Sequence, residues 1–227
     1  MENLKVIFED NHIIVVEKKP NIPSQSDKTG DIDMLTIVKQ YIKEKYNKPG
    51  NVYLGLVHRL DRPVGGVMIF AKTSKAASRL SNQVREKIFK KKYLAVVDGR
   101  FKEKEGSLED YLYKDERNNI SRVVNKEKKN SKLAKLDYKE LVYNEVKDLS
   151  LLEINLHTGR HHQIRVQLAN VGHSIFGDQK YGKRGQGKQI ALWAYELTIE
   201  HPITKEELTF KDFPEPIGTW CILKGLK

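Results

Sequence analysis

Residues 57–73 read Val-His-Arg-Leu-Asp-Arg-Pro-Val-Gly-Gly-Val-Met-Ile-Phe-Ala-Lys-Thr. The first part carries charge and then turns through Arg62-Pro63-Val64-Gly65-Gly66, where proline fixes one backbone angle and glycine accepts angles closed to other residues. The second part, Val67–Ala71, is a β-type apolar run and predicts a strand. Asp61 therefore stands on a loop that feeds a strand. A carboxylate in that setting is held rigidly and still reaches a ligand.

Working outward from this loop, strands are predicted at Lys5–Phe8 and His12–Glu17, joined by a Glu9-Asp10-Asn11 turn. Asp33 suits an N-cap for a helix with Leu35, Val38 and Ile42 on one face, ended by Pro49-Gly50. Thr73 or Ser74 caps a second helix with an apolar stripe of Ala77, Leu80, Val84 and Ile88. Tyr93–Val97 reads as a strand closed by Gly99. Residues 102–135 are highly charged and read as an irregular excursion, with short strands around Leu108–Tyr113 and Ser121–Val124. Leu136–Tyr143 and Leu149–Leu156 read as paired strands. Thr158 is the expected cap of a third helix bearing Ile164, Leu168 and Val171, stopped by Gly172. Ile190–Glu200 and Glu207–Lys211 complete the strands, joined across His201-Pro202. Strands outnumber helices and neighbours are hairpin-linked. The expected class is α+β, a mixed, largely antiparallel sheet flanked by helices. No repeat or linker is visible, so residues 1–227 read as one domain.

Composition narrows the function. The 227 residues suffice for a full core, and 39% hydrophobic with 31% charged residues fits a soluble globular chain. No apolar run is long enough to span a bilayer. The first ten residues lack a signal-peptide core, and a lone Cys221 excludes an internal disulfide, so a cytoplasmic protein is expected. Lys plus Arg is 41 against 30 Asp plus Glu, a net charge of +11 that favours a polyanionic partner. The surplus is clustered at Arg85, Lys87, Lys90, Lys91 and Lys92. It recurs at Lys126, Lys128, Lys129, Lys132 and Lys135, and again at Lys180, Lys183, Arg184 and Lys188. Each cluster alone reads equally as a solvated face.

Three ordered segments then carry a family resemblance. His58-Arg59-Leu60-Asp61 resembles the His-Arg-Leu-Asp signature of RluA-type pseudouridine synthases. Lys91-Lys92-Tyr93-Leu94-Ala95-Val96-Val97 is similar to that family's Lys-x-Tyr-x-Ala-x-Val segment. Thr158-Gly159-Arg160-His161-His162-Gln163-Ile164-Arg165-Val166-Gln167 resembles its Thr-Gly-Arg-x-His-Gln-Ile-Arg-Val-His block, and Gly177-Asp178 with Tyr181-Gly182 its continuation. The opening Val6–Pro23 also looks like the family's, so the resemblance covers nearly the whole chain. Three positions depart from it. Val64-Gly65-Gly66 replaces Thr-Ser-Gly, Gln167 stands for a histidine, and His161 stands for a threonine.

The resemblance implies the pseudouridine-synthase fold and isomerisation of uridine in structured rRNA or tRNA. It makes Asp61 the catalytic carboxylate, Tyr93 the residue packed on the base, and Arg165 the partner of that aspartate. His58, Arg59, Arg160, His162 and Gln163 become expected substrate contacts, with Arg59 filling the space of an extruded base. The chemistry needs no cofactor, because oxidation state does not change. No metal is expected, since the histidine spacing fits no zinc pattern. No membrane partner is expected, no S4-type RNA-binding domain is seen, and a monomer is expected. Two other classes remain open. One is a non-catalytic RNA-binding or ribosome-assembly protein on the same fold. The other, a glycosidase or metal nuclease, would need paired or clustered acids not evident here.

Overall fold

A computed structural model describes residues 4–226 apart from 184, 186 and 188. Arg184 and Lys188 of the third basic cluster therefore lie outside the described residues. In chain order the elements are β1 (Val6–Glu9), β2 (Ile13–Lys18), α1 (Met34–Lys45), β3 (Gly55–Leu56), β4 (Gly65–Ala71), α2 (Ser74–Arg85), β5 (Lys90–Asp98) and β6 (Glu105–Asp115). They continue with β7 (Ile120–Val124), β8 (Lys132–Asn144), β9 (Leu149–Leu156), α3 (Gln163–Asn170), β10 (Leu192–Glu200), β11 (Glu207–Lys211) and a 3₁₀ helix at Gly218–Gly225. The fold is α+β with mostly antiparallel strands. The described residues up to Lys90, with Ala194–Phe213, form one compact unit. Lys91–Trp193 and the residues from Pro214 form a second. The division falls inside β5 and β10 rather than at a linker, and no shift in composition marks it.

In the first unit the strand order is β1-β2-β4-β10, with β11 on β10 and β3 on β4. Strand β2 is apolar at four successive positions, and β4 is buried throughout. Such runs suit strands covered on both faces. Alternate residues Ile13, Val15, Val67, Ile69 and Ala71 share one cluster with Ala76 and Leu80 of α2 and with Leu197, Ile199 and Phe210. Helix α1 starts where Asp33 accepts from Thr36 N–H at 3.1 Å, and α2 where Thr73 accepts from Ala76 N–H at 3.2 Å.

The expected helix faces need two corrections. Met34, not Leu35, joins Val38 and Ile42 in burial. In α2 the buried residues are Ala76, Leu80 and Gln83, while Val84 is 37% exposed and Ile88 lies beyond the helix. Gln83 displaces Val84 because its amide donates to Glu200 O at 2.6 Å and accepts from Glu200 N–H at 3.1 Å. A bidentate side-chain to backbone pair thus sets the helix rotation. Helix α1 ends at Lys45, ahead of the Pro49-Gly50 pair expected to stop it.

In the second unit the order is β5-β9-β8-β6-β7, antiparallel at each printed pair. Here the irregular reading of 102–135 is overturned. β6 runs eleven residues, and β7 and the start of β8 pair with it. Charge misled the reading because only one face of these strands is buried. Leu112 and Ala134 pack with Val166 of α3 and with Val123, while Tyr111, Tyr113 and Leu133 lie on the opposite face. A bulge between Glu140 and Val142 interrupts the β8–β9 register.

Thr158 does not cap α3. The N-cap is His162, in the left-handed region at φ 52°. The helix ends as expected at Gly172, φ 88°, in a Schellman arrangement with Gly172 N–H on Ala169 O and His173 N–H on Leu168 O. Val171, expected on the buried stripe, is the C-cap and is 40% exposed. No described helix is long and apolar enough to cross a membrane.

Candidate active site

In the first unit, Asp61 is half-buried on the loop between β3 and β4, and its neighbours are fixed from both sides. Ser24 Oγ donates to Leu60 O at 2.8 Å and accepts from Leu60 N–H at 3.1 Å. On the far side, Arg62 O accepts from Asn21 N–H at 2.8 Å, and Val64 N–H closes a turn onto Asp61 O at 3.0 Å. The Arg62 guanidinium pairs with Asp31 and donates to Thr29 Oγ1.

Beneath this loop lies Lys18, a lysine with no exposed surface. Its Nζ donates to Arg62 O at 2.9 Å, Val64 O at 2.6 Å and Lys19 O at 3.2 Å. Three carbonyls match the three protons of an ammonium. Burial pushes the Lys18 amine down to about 7, the Asp61 carboxylate pulls it up, and the Arg62 guanidinium lowers it. The segment Lys18–Ser24 therefore acts as a brace for the loop that presents Asp61.

The loop exits through Gly66, φ 125°, where a Cβ would lie 2.2 Å from Ala194 O. No other residue fits there. Gly66→Ala is expected to cost more than about 3 kcal/mol and to lower Tm by about 6–12 °C. A wild-type melting curve for the variant would contradict this packing.

Arg59, in the same loop, is exposed. His58 has a structural place. It is 8% exposed, its Nε2 accepts from Ile69 N–H at 3.1 Å, and its ring packs 5.2 Å from Phe89. The Ile69 bond places the His58 proton on Nδ1.

In the second unit, Tyr93 sits in β5 and is 6% exposed. Arg165 projects from α3 and is buried with Asp178 in a bidentate pair, Nε to Oδ2 at 2.8 Å and Nη2 to Oδ1 at 2.7 Å. The same Oδ1 accepts from Lys180 and Tyr181 N–H groups. The Arg165 guanidinium carbon lies 5.3 Å over the Tyr181 ring. This carboxylate fixes one edge of the guanidinium and compensates its burial.

Tyr181 also holds His162. Its hydroxyl accepts from Ser121 N–H at 2.6 Å and is hydrogen-bonded to His162 Nδ1 at 2.9 Å. Burial, and then the Arg165 charge, push this imidazole down to about 2, so it stays neutral. Ser121 Oγ spends its single proton on His161 O at 2.7 Å, which makes His161 Nδ1, at 3.0 Å, a donor. This is what the unusual histidine at 161 does.

Gln163 is buried and braces the turn before α3. It accepts from Thr158 Oγ1 and Arg160 N–H and donates to Lys135 O. Arg160 is exposed, and its Nε donates to Leu133 O at 2.9 Å.

Lys18 and Ser24 carry no signal in the sequence, and Tyr181 stands in a matched motif without a role. Asp178 lay inside a matched motif without a role. Among the described residues no cluster of three or more His, Cys, Asp or Glu side chains is arranged to hold a metal ion.

Comparison with known proteins adds a family. Residues 12–170 match the family model described as RNA pseudouridylate synthase. A Bacillus subtilis protein named uncharacterized RNA pseudouridine synthase YhcT is 33% identical over 225 residues, covering 96% of this chain and 71% of the relative. Ribosomal large subunit pseudouridine synthase D of Nitrosomonas europaea is 30% identical over 237 residues, covering 99% and 65%. In fold, the chain is similar to human RNA pseudouridylate synthase domain containing 1, with a TM-score of 0.76 at 24% identity over 96% of this chain and 85% of that one.

Proposed function

This chain belongs to the RNA pseudouridylate synthase family and is an isomerase converting uridine to pseudouridine in RNA, and on that premise we propose that Asp61 is its catalytic carboxylate and structured ribosomal or transfer RNA its substrate. The observation that supports Asp61 most is the brace around it. Leu60, Arg62 and Val64 are each held by backbone or side-chain hydrogen bonds within one unit. A residue that must meet a single ribose carbon needs such fixed neighbours.

The reaction breaks the N-glycosidic bond, turns the uracil and joins C5 to C1′, with the C5 proton released. Two routes are open to the carboxylate. It attacks as a nucleophile, or it removes a proton from C2′. Arg165 is the proposed charge partner of Asp61, the role that the family resemblance gives it. A uridine inside a stem is out of reach, so the target is in a loop or is flipped out. Arg59 would fill its place, and Tyr93 would stack on the extruded base. Arg160 and His162 are proposed RNA contacts, while His58 and Gln163 act through the turns they hold. Ribosomal RNA is the first substrate to test, because two relatives are named as ribosomal large subunit synthases.

The test is tritium release from rRNA and tRNA transcripts labelled at uridine C5, assayed separately. Release from one class by the wild-type protein supports the reading and names the RNA. No release from either class overturns it. Tyr93→Phe distinguishes stacking by the ring from proton transfer by the hydroxyl. Stacking alone predicts kcat within about threefold of wild type, because the ring is kept. A fall of more than about 10²-fold would assign the hydroxyl a proton-transfer role instead.

A further inference from the structure

The β7-β6-β8 strands of the second unit have two unlike faces. Leu112, Val123 and Ala134 face α3 and pack with Val166. Directly paired residues share a face. On the other face Tyr113 is opposite Arg122, Tyr111 is opposite Val124 and Leu133, and Glu109 is opposite Lys135. Lys128, from the β7–β8 connection, lies 5.4 Å over the Tyr113 ring. Leu133 here is 38% exposed, and both tyrosines are partly exposed.

Charge sorts along this face. Residues 111–135 hold eight Lys or Arg against three Asp or Glu. Asp115 is occupied by the Arg117 and Asn118 N–H groups of its own turn, and Glu116 by Lys114. Further along the same strands the face is mixed, with Lys139 opposite Glu105 and Glu153. A shallow depression of about 350 Å³ there is lined by Glu105, Asp137 and Glu153 among others, and Asp137 is engaged by His157 and Ser107. The surplus of positive charge that a polyanion needs is therefore at the tyrosine end.

We propose that the basic end of this face, Tyr111 and Tyr113 with Arg122 and Lys128, is a stacking platform for a single-stranded segment of the substrate RNA flanking the target uridine. The proposal rests on the synthase reading above and adds where the rest of the RNA is held. Two aromatic rings two residues apart on an open strand present adjacent π-faces to successive bases. The flanking cations neutralise the phosphates between them. A duplex keeps its bases stacked on each other and gains nothing from the rings.

The test compares a fluorescein-labelled 12-nucleotide oligouridylate with a blunt 12-base-pair RNA duplex by anisotropy. Tyr113→Ala is expected to weaken oligouridylate binding about tenfold, the scale of one lost base–aromatic stack, and to leave the duplex unchanged. Tyr113→Phe keeps the ring and is expected to bind like wild type, which separates stacking from a folding defect. Arg122→Ala with Lys128→Ala should flatten the salt dependence by about 1.4 in slope, two single-strand phosphate contacts. Unchanged oligouridylate binding by Tyr113→Ala, or an equal loss on both RNAs, overturns the platform. On a tritiated substrate RNA, Tyr113→Ala should raise KM about tenfold with kcat kept. Absence of tritium release from wild type would sink the synthase reading instead, and the two binding curves would still decide the platform.

Discussion

Asp61→Asn is expected to lower kcat for uridine isomerisation at least about 10⁴-fold while RNA binding and Tm stay at wild-type values. The amide has the shape of the carboxylate, so the hydrogen bonds from Ser24 and Asn21 have nothing to readjust. Lys18 loses the charge that pulls its amine up, so the comparison is made well below pH 7, where the ammonium is kept. What disappears is the negative charge and the basic lone pairs. Both routes open to Asp61 need them, since an amide neither attacks C1′ nor takes a proton from C2′. Binding is carried by phosphate contacts and stacking, and losing one negative charge does not weaken those. Single-turnover tritium release, with anisotropy on the same RNA, checks both halves. Residual turnover within tenfold of wild type would remove Asp61 from the chemistry.

The residues that make Asp61 legible and the ones that hold it are of different kinds. Asp33 and Thr73 can be read as helix caps because a cap is a local event between neighbours in sequence. Asp61, Tyr93 and Arg165 stand in long ordered motifs. Lys18 has no such signal. In Glu17-Lys18-Lys19 it looks like one more surface lysine, and only the approach of the Arg62–Val64 carbonyls, forty-odd positions away, makes it a buried donor. His162 escapes reading as the cap of α3 because its φ of 52° is set by tertiary packing and not by propensity. The same holds for β6 to β8. Their polar positions carry so much charge that alternation is hidden, until pairing shows Leu112, Ala134 and Leu136 on one buried face. Position 161 shows the converse. It departs from the family pattern, yet Ser121 gives that histidine a defined place.

Lys18→Met is expected to lower kcat about 10²-fold with little change in KM, the effect of a catalytic group displaced by about 1 Å. Methionine fills the slot but donates nothing. The carbonyls of Arg62 and Val64, now held by Lys18 Nζ at 2.9 and 2.6 Å, lose that donor, at a cost of about 1–3 kcal/mol each if left unpaired. Relief comes by moving the loop, and Asp61 moves with it. Titration of the wild type should show the same event reversibly. As the lysine loses its proton around pH 7, two N–H groups remain for three carbonyls, and kcat should fall with that midpoint.

Stability follows the opposite sign. The unfolded lysine titrates near about 10.4, above its folded value of about 7. Between those values the unfolded chain binds more protons, so this group adds stability as pH rises through the window. A kcat that declines above pH 7 while Tm does not, with that limb absent in Lys18→Met, is the signature of a positioning ammonium. Lys18→Gln, which keeps two N–H donors, should recover part of the lost kcat. An identical pH profile in wild type and Lys18→Met would show that the brace does not depend on the charge of this lysine.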